Sequence, residues 1–283
     1  MSTVATPTRA SFQALPAEIL LQILCSLLDE HLWRAMRLDR RARTFAMKLM
    51  WRGFTSIYNL LSNRTGKIKP QIQAGSEYIE TLDMSDADSQ IAREPHHLNK
   101  LLDAKFSRTH TLRGYEIEET NTQAFKLLRH IASAAPVKEL MLLAAGRTNN
   151  EFRTVLGLFK DFERLTMNIS RHCLVPDPAP NDLPWGHLLH VQMERDDERF
   201  LMPNKLVLTS LARCPTLVHA VFTEMPSLRD FRGRVAEPVA PFFPALESLE
   251  TVANSGGAVR SISRMHNLKR LHLRVSLLRG GKG

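Results

Sequence analysis

An apolar-x-x-apolar-x-apolar unit returns eight times between residues 76 and 283, and a chain that repeats itself in this way has few routes to a buried core. The copies are Ile79/Leu82/Met84, Leu112/Tyr115/Ile117, Val137/Leu140/Leu142, Phe162/Leu165/Met167, Leu188/Val191/Met193, Leu217/Ala220/Phe222, Leu246/Leu249/Thr251 and Leu268/Leu271/Leu273. Ala220 and Thr251 are the two lapses. Between central members the steps are 33, 25, 25, 26, 29, 29 and 22 residues, room for one short strand and one return segment per copy. Several return segments have helical periodicity: Leu98/Leu101/Leu102, Phe125/Leu128/Ile131, Phe152/Val155/Leu156/Phe159 and Leu206/Leu208/Leu211. Pro136 and Pro215 close two of them.

Three residues beyond the third member stand Ala87, Thr120, Ala145, Ser170, Asp196, Met225, Asn254 and Ser276, mostly small or polar. With that position, the series resembles a degenerate leucine-rich-repeat array of about eight units over residues 76–283. The resemblance implies an α/β fold, a curved strand-helix solenoid with parallel strands on its concave face. Strand alternation then sends the residues flanking each central position to that face. These are Asp83, Glu116, Glu118, Glu139, Met141, Arg164, Thr166, His190, Gln192, His219, Val221, Arg270, His272 and Arg274, acidic in the early copies and basic in the late ones. Such a face suits a protein client of opposite polarity. Prolines at 176, 178, 180 and 184, and again at 238, 241 and 244, predict two irregular connections.

The first residues are of another kind. Pro16 suits a helix start, and Ile19, Leu20, Ile23, Leu24, Leu27 and Leu28 form one broad apolar stripe. Leu32, Ala35 and Met36 read as a second short helix, and Ala42, Phe45, Ala46 and Leu49 as a third that Trp51 and Arg52 close. A unit below about 40 residues rarely buries enough surface alone, so part of this stripe needs covering by the body or by a partner. Leu15-Pro16-x-Glu18-Ile19, Ile23-Leu24, Leu27, Leu32, Leu38, Arg41 and Leu49-x-Trp51-Arg52 resemble the F-box, over residues 12–52. Leu38, Asp39 and Ala42 stand where that family usually has Val-Cys and Trp. The resemblance implies docking on the Skp-type adaptor of a cullin-RING ubiquitin ligase through Leu15, Pro16, Ile19, Leu20, Ile23, Leu24, Leu27, Leu32 and Met36. Seven Lys or Arg against one acid between Arg34 and Arg52 would suit an acidic adaptor. Residues 53–75 read as a connector, a short helix and a loop.

Composition excludes much else. With 43% hydrophobic residues the chain is globular, and Cys25, Cys173 and Cys214 stand too far apart to suggest a disulfide framework or a zinc site. No stretch approaches the roughly 18 consecutive apolar residues of a membrane span, and no secretory leader is evident, so no membrane is expected and the cytosol or nucleus is the expected location. The charge of +9 permits nucleic-acid contact. The basic block from Arg260 onward lacks aromatics to stack on bases, and nucleic acid is not expected as the partner. There is no phosphate-binding loop, no His-Glu-x-x-His and no Gly-x-Ser-x-Gly, and His96-His97 has no metal-spaced neighbour. No catalytic residue, metal or cofactor is expected. The sequence thus points to a non-catalytic substrate receptor, with a repeat scaffold that has no ubiquitin role as the alternative.

Overall fold

The structure, a computed structural model, describes residues 15–27, 29–37, 40–52, 54–61, 75–93, 96–117, 122–144, 149–169, 185–195, 211–223, 243–253 and 256–275. Three helices come first: α1 (Ala17–Cys25), α2 (Asp29–Ala35) and α3 (Arg40–Arg52). Then follow β1 (Phe54–Ser56), α4 (Ile57–Leu61), β2 (Thr81–Asp83), α5 (Ala87–Arg93), α6 (His96–Leu102), β3 (Thr111–Glu116), α7 (Gln123–Ala134), β4 (Glu139–Ala144) and α8 (Asn149–Gly157). The chain continues through β5 (Arg164–Ile169), β6 (His190–Arg195), β7 (His219–Phe222), β8 (Ser248–Ala253), α9 (Gly256–Ile262) and β9 (Arg270–Val275).

All nine strands form one parallel sheet in strict sequence order, β1 to β9. Parallel neighbours require a crossover, and crossovers of a single hand put every return segment on the same side of the sheet. Burial agrees with this. The central residues Leu82, Leu112, Leu140, Leu165, Val191, Ala220 and Leu249 are in register and no more than 1% exposed. They share one core with Ile91, Leu101, Phe125, Leu128 and Val155 from the return helices. The lapses Ala220 and Thr251 occupy core positions too, 0% and 2% exposed.

A backbone ladder repeats from unit to unit. The carbonyl of the residue before a strand accepts two successive N–H groups of the next unit, at 2.8–3.1 Å. Glu80, His110, Lys138, Glu163, Leu189, Val218 and Glu247 all serve in this way. Local caps support the returns: Thr122 Oγ1 accepts from Phe125 N (3.1 Å) at the start of α7, and Asp88 Oδ1 accepts from Ala124 N (3.1 Å).

Two expectations need correction. The second copy is centred on Leu112, not Tyr115: Leu112 pairs with Leu82 and Leu140, and a bulge at Gly114 carries Tyr115 on to pair with Leu142. The first two steps become 30 and 28 residues, which evens out the spacing. Gly114 has φ +70°, which the missing Cβ makes accessible. The connector also holds a strand. Short β1, without apolar alternation, pairs with β2 and adds a ninth strand to the eight expected. The expected helices at 98–102, 125–131 and 152–159 are present as α6, α7 and α8, whereas α5 and α9 were not anticipated. Gly256 and Gly257 begin α9. The helical segment at Leu206 and Leu208, the connection at 175–184, and Pro238 and Pro241 lie outside the described residues.

The bulge yields a paired prediction. A Cβ at Gly114 would meet Ser85 Oγ and Asp83 Oδ1 in a left-handed conformation, whereas a Cβ at Gly157, the last residue of α8, meets nothing within 4 Å. Gly114→Ala should cost about 1–2 kcal/mol and Gly157→Ala should gain about 0.4–1 kcal/mol, as read by urea denaturation.

Candidate functional site

Helix α1 starts after Pro16, whose extended backbone (φ −53°, ψ 148°) turns the chain inward and whose carbonyl accepts from Leu20 N at 3.0 Å. Ser26 ends it, donating its N–H to the carbonyls of Gln22 and Ile23 and its hydroxyl to Ile23 O at 2.7 Å. The Arg41 guanidinium of α3 donates to Leu15 O at 3.3 Å, which fixes the head of α1. Successive helical residues are about 100° apart, so the broad stripe divides. Leu20 and Leu24 are fully buried with Leu32, Ala35 and Ala46 in a small core of the three helices. Ile19 (43%), Leu21 (38%) and Ile23 (37%) are exposed, with Pro16 in line at the helix start.

The expected adaptor contacts therefore separate into two sets. Leu20, Leu24 and Leu32 form the core of the unit and do not present themselves at its surface, a correction that follows from helical geometry. Pro16, Ile19 and Ile23 face outward, while Leu15, Leu27 and Met36 are half-buried. Leu21 was missed as a surface residue; helical spacing sets it on the flank of Leu24, across the helix from Ile19. Arg34, Arg37, Arg40, Arg41 and Arg43 are exposed on the same three-helix unit; Leu38 and Asp39 lie outside the described residues. The unit is anchored by α3. Trp51 belongs to the sheet's core, Met50 touches both cores, and a Cβ on Gly75 would run into the Trp51 ring.

The second surface is the face of the sheet away from the return helices. In one row stand Thr81, Thr111, Glu139, Arg164, His190, His219, Ser248 and Arg270. The row beyond the central apolar residues holds Asp83, Arg113, Met141, Thr166, Gln192, Val221, Glu250 and His272. Glu116 and Arg274 stand one row further on, and Glu118 lies outside the described residues. Thirteen of the fourteen expected face residues are thus on this surface, but its polarity is not the simple run from acidic to basic that the sequence suggested. Arg113 stands among the early acids because the bulge rotates it into the row that Glu116 was expected to share. Glu250 stands among the late bases and is 3.3 Å from His272 Nδ1 and 3.7 Å from Arg274. The signal for Arg113 was present in the sequence, since an isolated Gly within a strand pattern suggests a bulge.

At the start of the strands His110, Thr111, Lys138, Glu139, Glu163 and Arg164 line a shallow polar depression of about 220 Å³. Lys138 is 3.1 Å from Glu163, and Thr111 donates to Glu139 at 3.2 Å. The first contact pairs opposite charges and the second is a hydroxyl-carboxylate hydrogen bond. Further along, the His190 and His219 rings are 5.7 Å apart on adjacent strands. Partial burial, with the neighbouring Arg164 and His219, holds the His190 imidazole below its ordinary value, against a smaller opposing pull from Glu163. Among the described residues no three His, Cys, Asp or Glu side chains gather as a metal site, and no helix is long and apolar enough to cross a membrane. Neither the family models nor the curated proteins include a match to this chain.

Two predictions follow from these geometries. Leu24→Glu should unfold the three-helix unit, a loss above about 3 kcal/mol, whereas Ile23→Glu should change stability by less than about 0.5 kcal/mol in thermal melts. An NMR titration should find His190 below the ordinary 6.5. Arg164→Gln should raise it only part of the way, because burial remains the larger cause. Since the folded state takes up this proton less readily than the unfolded chain, His190 should subtract stability as pH falls below 6.5 and contribute nothing above it.

Proposed function

We propose that this chain is the substrate-recognition subunit of an SCF-type cullin-RING ubiquitin ligase, an F-box-like module over residues 12–52 followed by a leucine-rich-repeat-like array over 76–283. Residues 53–75 join the two and contribute the array's first strand. The observation that carries the reading is the apolar strip of α1. Ile19 and Ile23, in line with Pro16, remain exposed although the three-helix unit has its own core and the sheet has another. An apolar strip on a unit that also exposes five arginines suits an acidic partner with an apolar groove, and the Leu15-Pro16 helix start is the part of the sequence that most resembles the F-box.

In this reading the strip of α1 docks the Skp-type adaptor, and the array curves so that the open face of its sheet is concave and receives a protein client. The chain performs no chemistry. It raises the effective concentration of the client near a charged ubiquitin-conjugating enzyme held by the rest of the ligase. Asp83, Glu139, Arg164, Gln192 and Arg270 would meet the client, with Arg113 and Glu250 added to the expected set.

Co-purification with the Skp-type adaptor tests the reading. The native chain should capture it, and Ile19→Glu/Ile23→Glu should abolish capture while the melting temperature stays within a few degrees of native. Capture that is absent, or unchanged in the double variant, would reject the adaptor role and leave a repeat scaffold without ubiquitin function.

A further inference from the structure

Several histidines beside the sheet pair with acids. His110 is 3.8 Å from Glu80, His187 is 3.6 Å from Asp161 and His272 is 3.3 Å from Glu250. Lys138 and Lys269 likewise reach Glu163 and Glu247, at 3.1 and 2.8 Å. The middle of the open face departs from this. Arg164, His190 and His219 stand side by side in register on β5, β6 and β7, and among the described residues no acid forms an ion pair with any of them. Glu139, the cross-strand neighbour of Arg164, is engaged by Thr111, and Glu163 by Lys138. The two imidazoles face each other instead, their ring centres 5.7 Å apart and their planes at 56°.

Like charges directly opposite one another in a sheet repel, so an anion laid across such a row stabilises it. Neighbouring strands are about 4.8 Å apart, which lets donors on three of them reach one small group. Arg164 is exposed and brings a fixed charge in a planar fork, while His190 and His219 are half-buried. A neutral imidazole contributes one ring N–H. A single fixed charge flanked by two ring donors matches a monoanion of carboxylate shape. The other groups around His190 do not block this. Arg164 and Glu163 face it from β5 and its start, His219 faces it from β7, and uncharged Gln192 is the next open-face residue of β6. One strand further out are Lys138 and Glu139 at β4 and Glu247 and Glu250 at β8, with the partners already given.

We propose that Arg164, His190 and His219 bind a carboxylate, carried by an aspartate or glutamate in a segment of the client protein. The inference rests on the reading that the open face receives a client, and not on the adaptor role of α1. The guanidinium takes the carboxylate through two parallel N–H donors, and each imidazole adds one. Binding is coupled to a proton. By itself His190 is held below its ordinary value by partial burial, Arg164 and His219, so it is largely neutral near pH 7. A carboxylate places negative charge against the ring and favours its charged form. His190 therefore takes a proton from solvent as the ligand binds and returns it on release. Affinity rises as pH falls through the titration of the complex and levels off below that of the unliganded chain.

The test titrates the full chain with rhodamine-labelled glycine-serine peptides of about ten residues that carry a central run of glutamate, glutamine or phosphoserine, read by anisotropy at about pH 5.5 and about pH 7.5. The glutamate peptide should bind at least about fivefold more tightly at the lower pH, and the glutamine peptide should not bind. NMR should show the His190 titration moving upward in the complex. Arg164→Gln should weaken binding more than about tenfold at both pH values, and His190→Gln should remove the pH dependence, each with an unchanged circular dichroism spectrum. The proposal is overturned by absent binding, by equal affinity at the two pH values, or by a pH dependence that survives His190→Gln. Binding that ignores these variants but is lost in Arg113→Glu or Arg270→Glu would reject this site and keep the open face as the client surface. Binding that none of the four variants alters would reject the open face itself. Tighter binding of the phosphoserine peptide at the higher pH would replace the carboxylate with a phosphate.

Discussion

The register of the sheet rests on one acceptor per unit, the carbonyl that precedes each strand and takes two N–H groups from the unit after it. A parallel ladder of this kind leaves no freedom to slip, because a shift of one residue would send the central leucines to the open face and the charged rows into the core. From that constraint the rest follows. Leu82, Leu112, Leu140, Leu165, Val191, Ala220 and Leu249 meet in one buried row, the return helices cover them, and two rows of polar side chains are left on the opposite face. The single bulge at Gly114 lengthens one strand by a residue without disturbing its neighbours.

The N-terminal helices depend on the same sheet through its first edge. Trp51 and Met50 at the end of α3 reach the sheet's core, while Leu20, Leu24 and Leu32 make a second, smaller core of the three helices. Because α3 serves both cores, α1 is held in place and still keeps one apolar side outward. At the far end, among the described residues, β9 pairs with β8 alone, and Leu271 in its central position is 46% exposed. The exposure of Ile19 and Ile23 thus has a local origin: α1 has more apolar sides than its unit covers.

The eight strands from β2 to β9 were legible because each combines a local apolar triplet with a nearly even interval, and chance rarely supplies both. The helices of the longer returns were legible for a similar reason, their 3.6-residue periodicity. β1 was not, since Phe54-Thr55-Ser56 has neither triplet nor alternation and becomes a strand only because β2 offers it an edge. The second unit was misread by one apolar position. Leu112 and Tyr115 are both apolar, and which one lies opposite Leu140 is settled by the positive φ of Gly114 rather than by hydrophobicity. The open face was legible residue by residue, but its charge distribution was not, because Arg113 and Glu250 join it through pairing.

By itself the sequence determined that the chain is a repeating α/β array led by a short helical unit, since periodicity and interval are local properties of the order of residues. The same order carries the resemblance of Leu15-Pro16 and the following helix to the F-box. Only the tertiary structure decided which side of α1 is covered, which copy is bulged and which charged residues share the open face. Those outcomes depend on what packs against each residue, and neighbours in space across crossovers of some 25 to 30 residues are not written in any one segment.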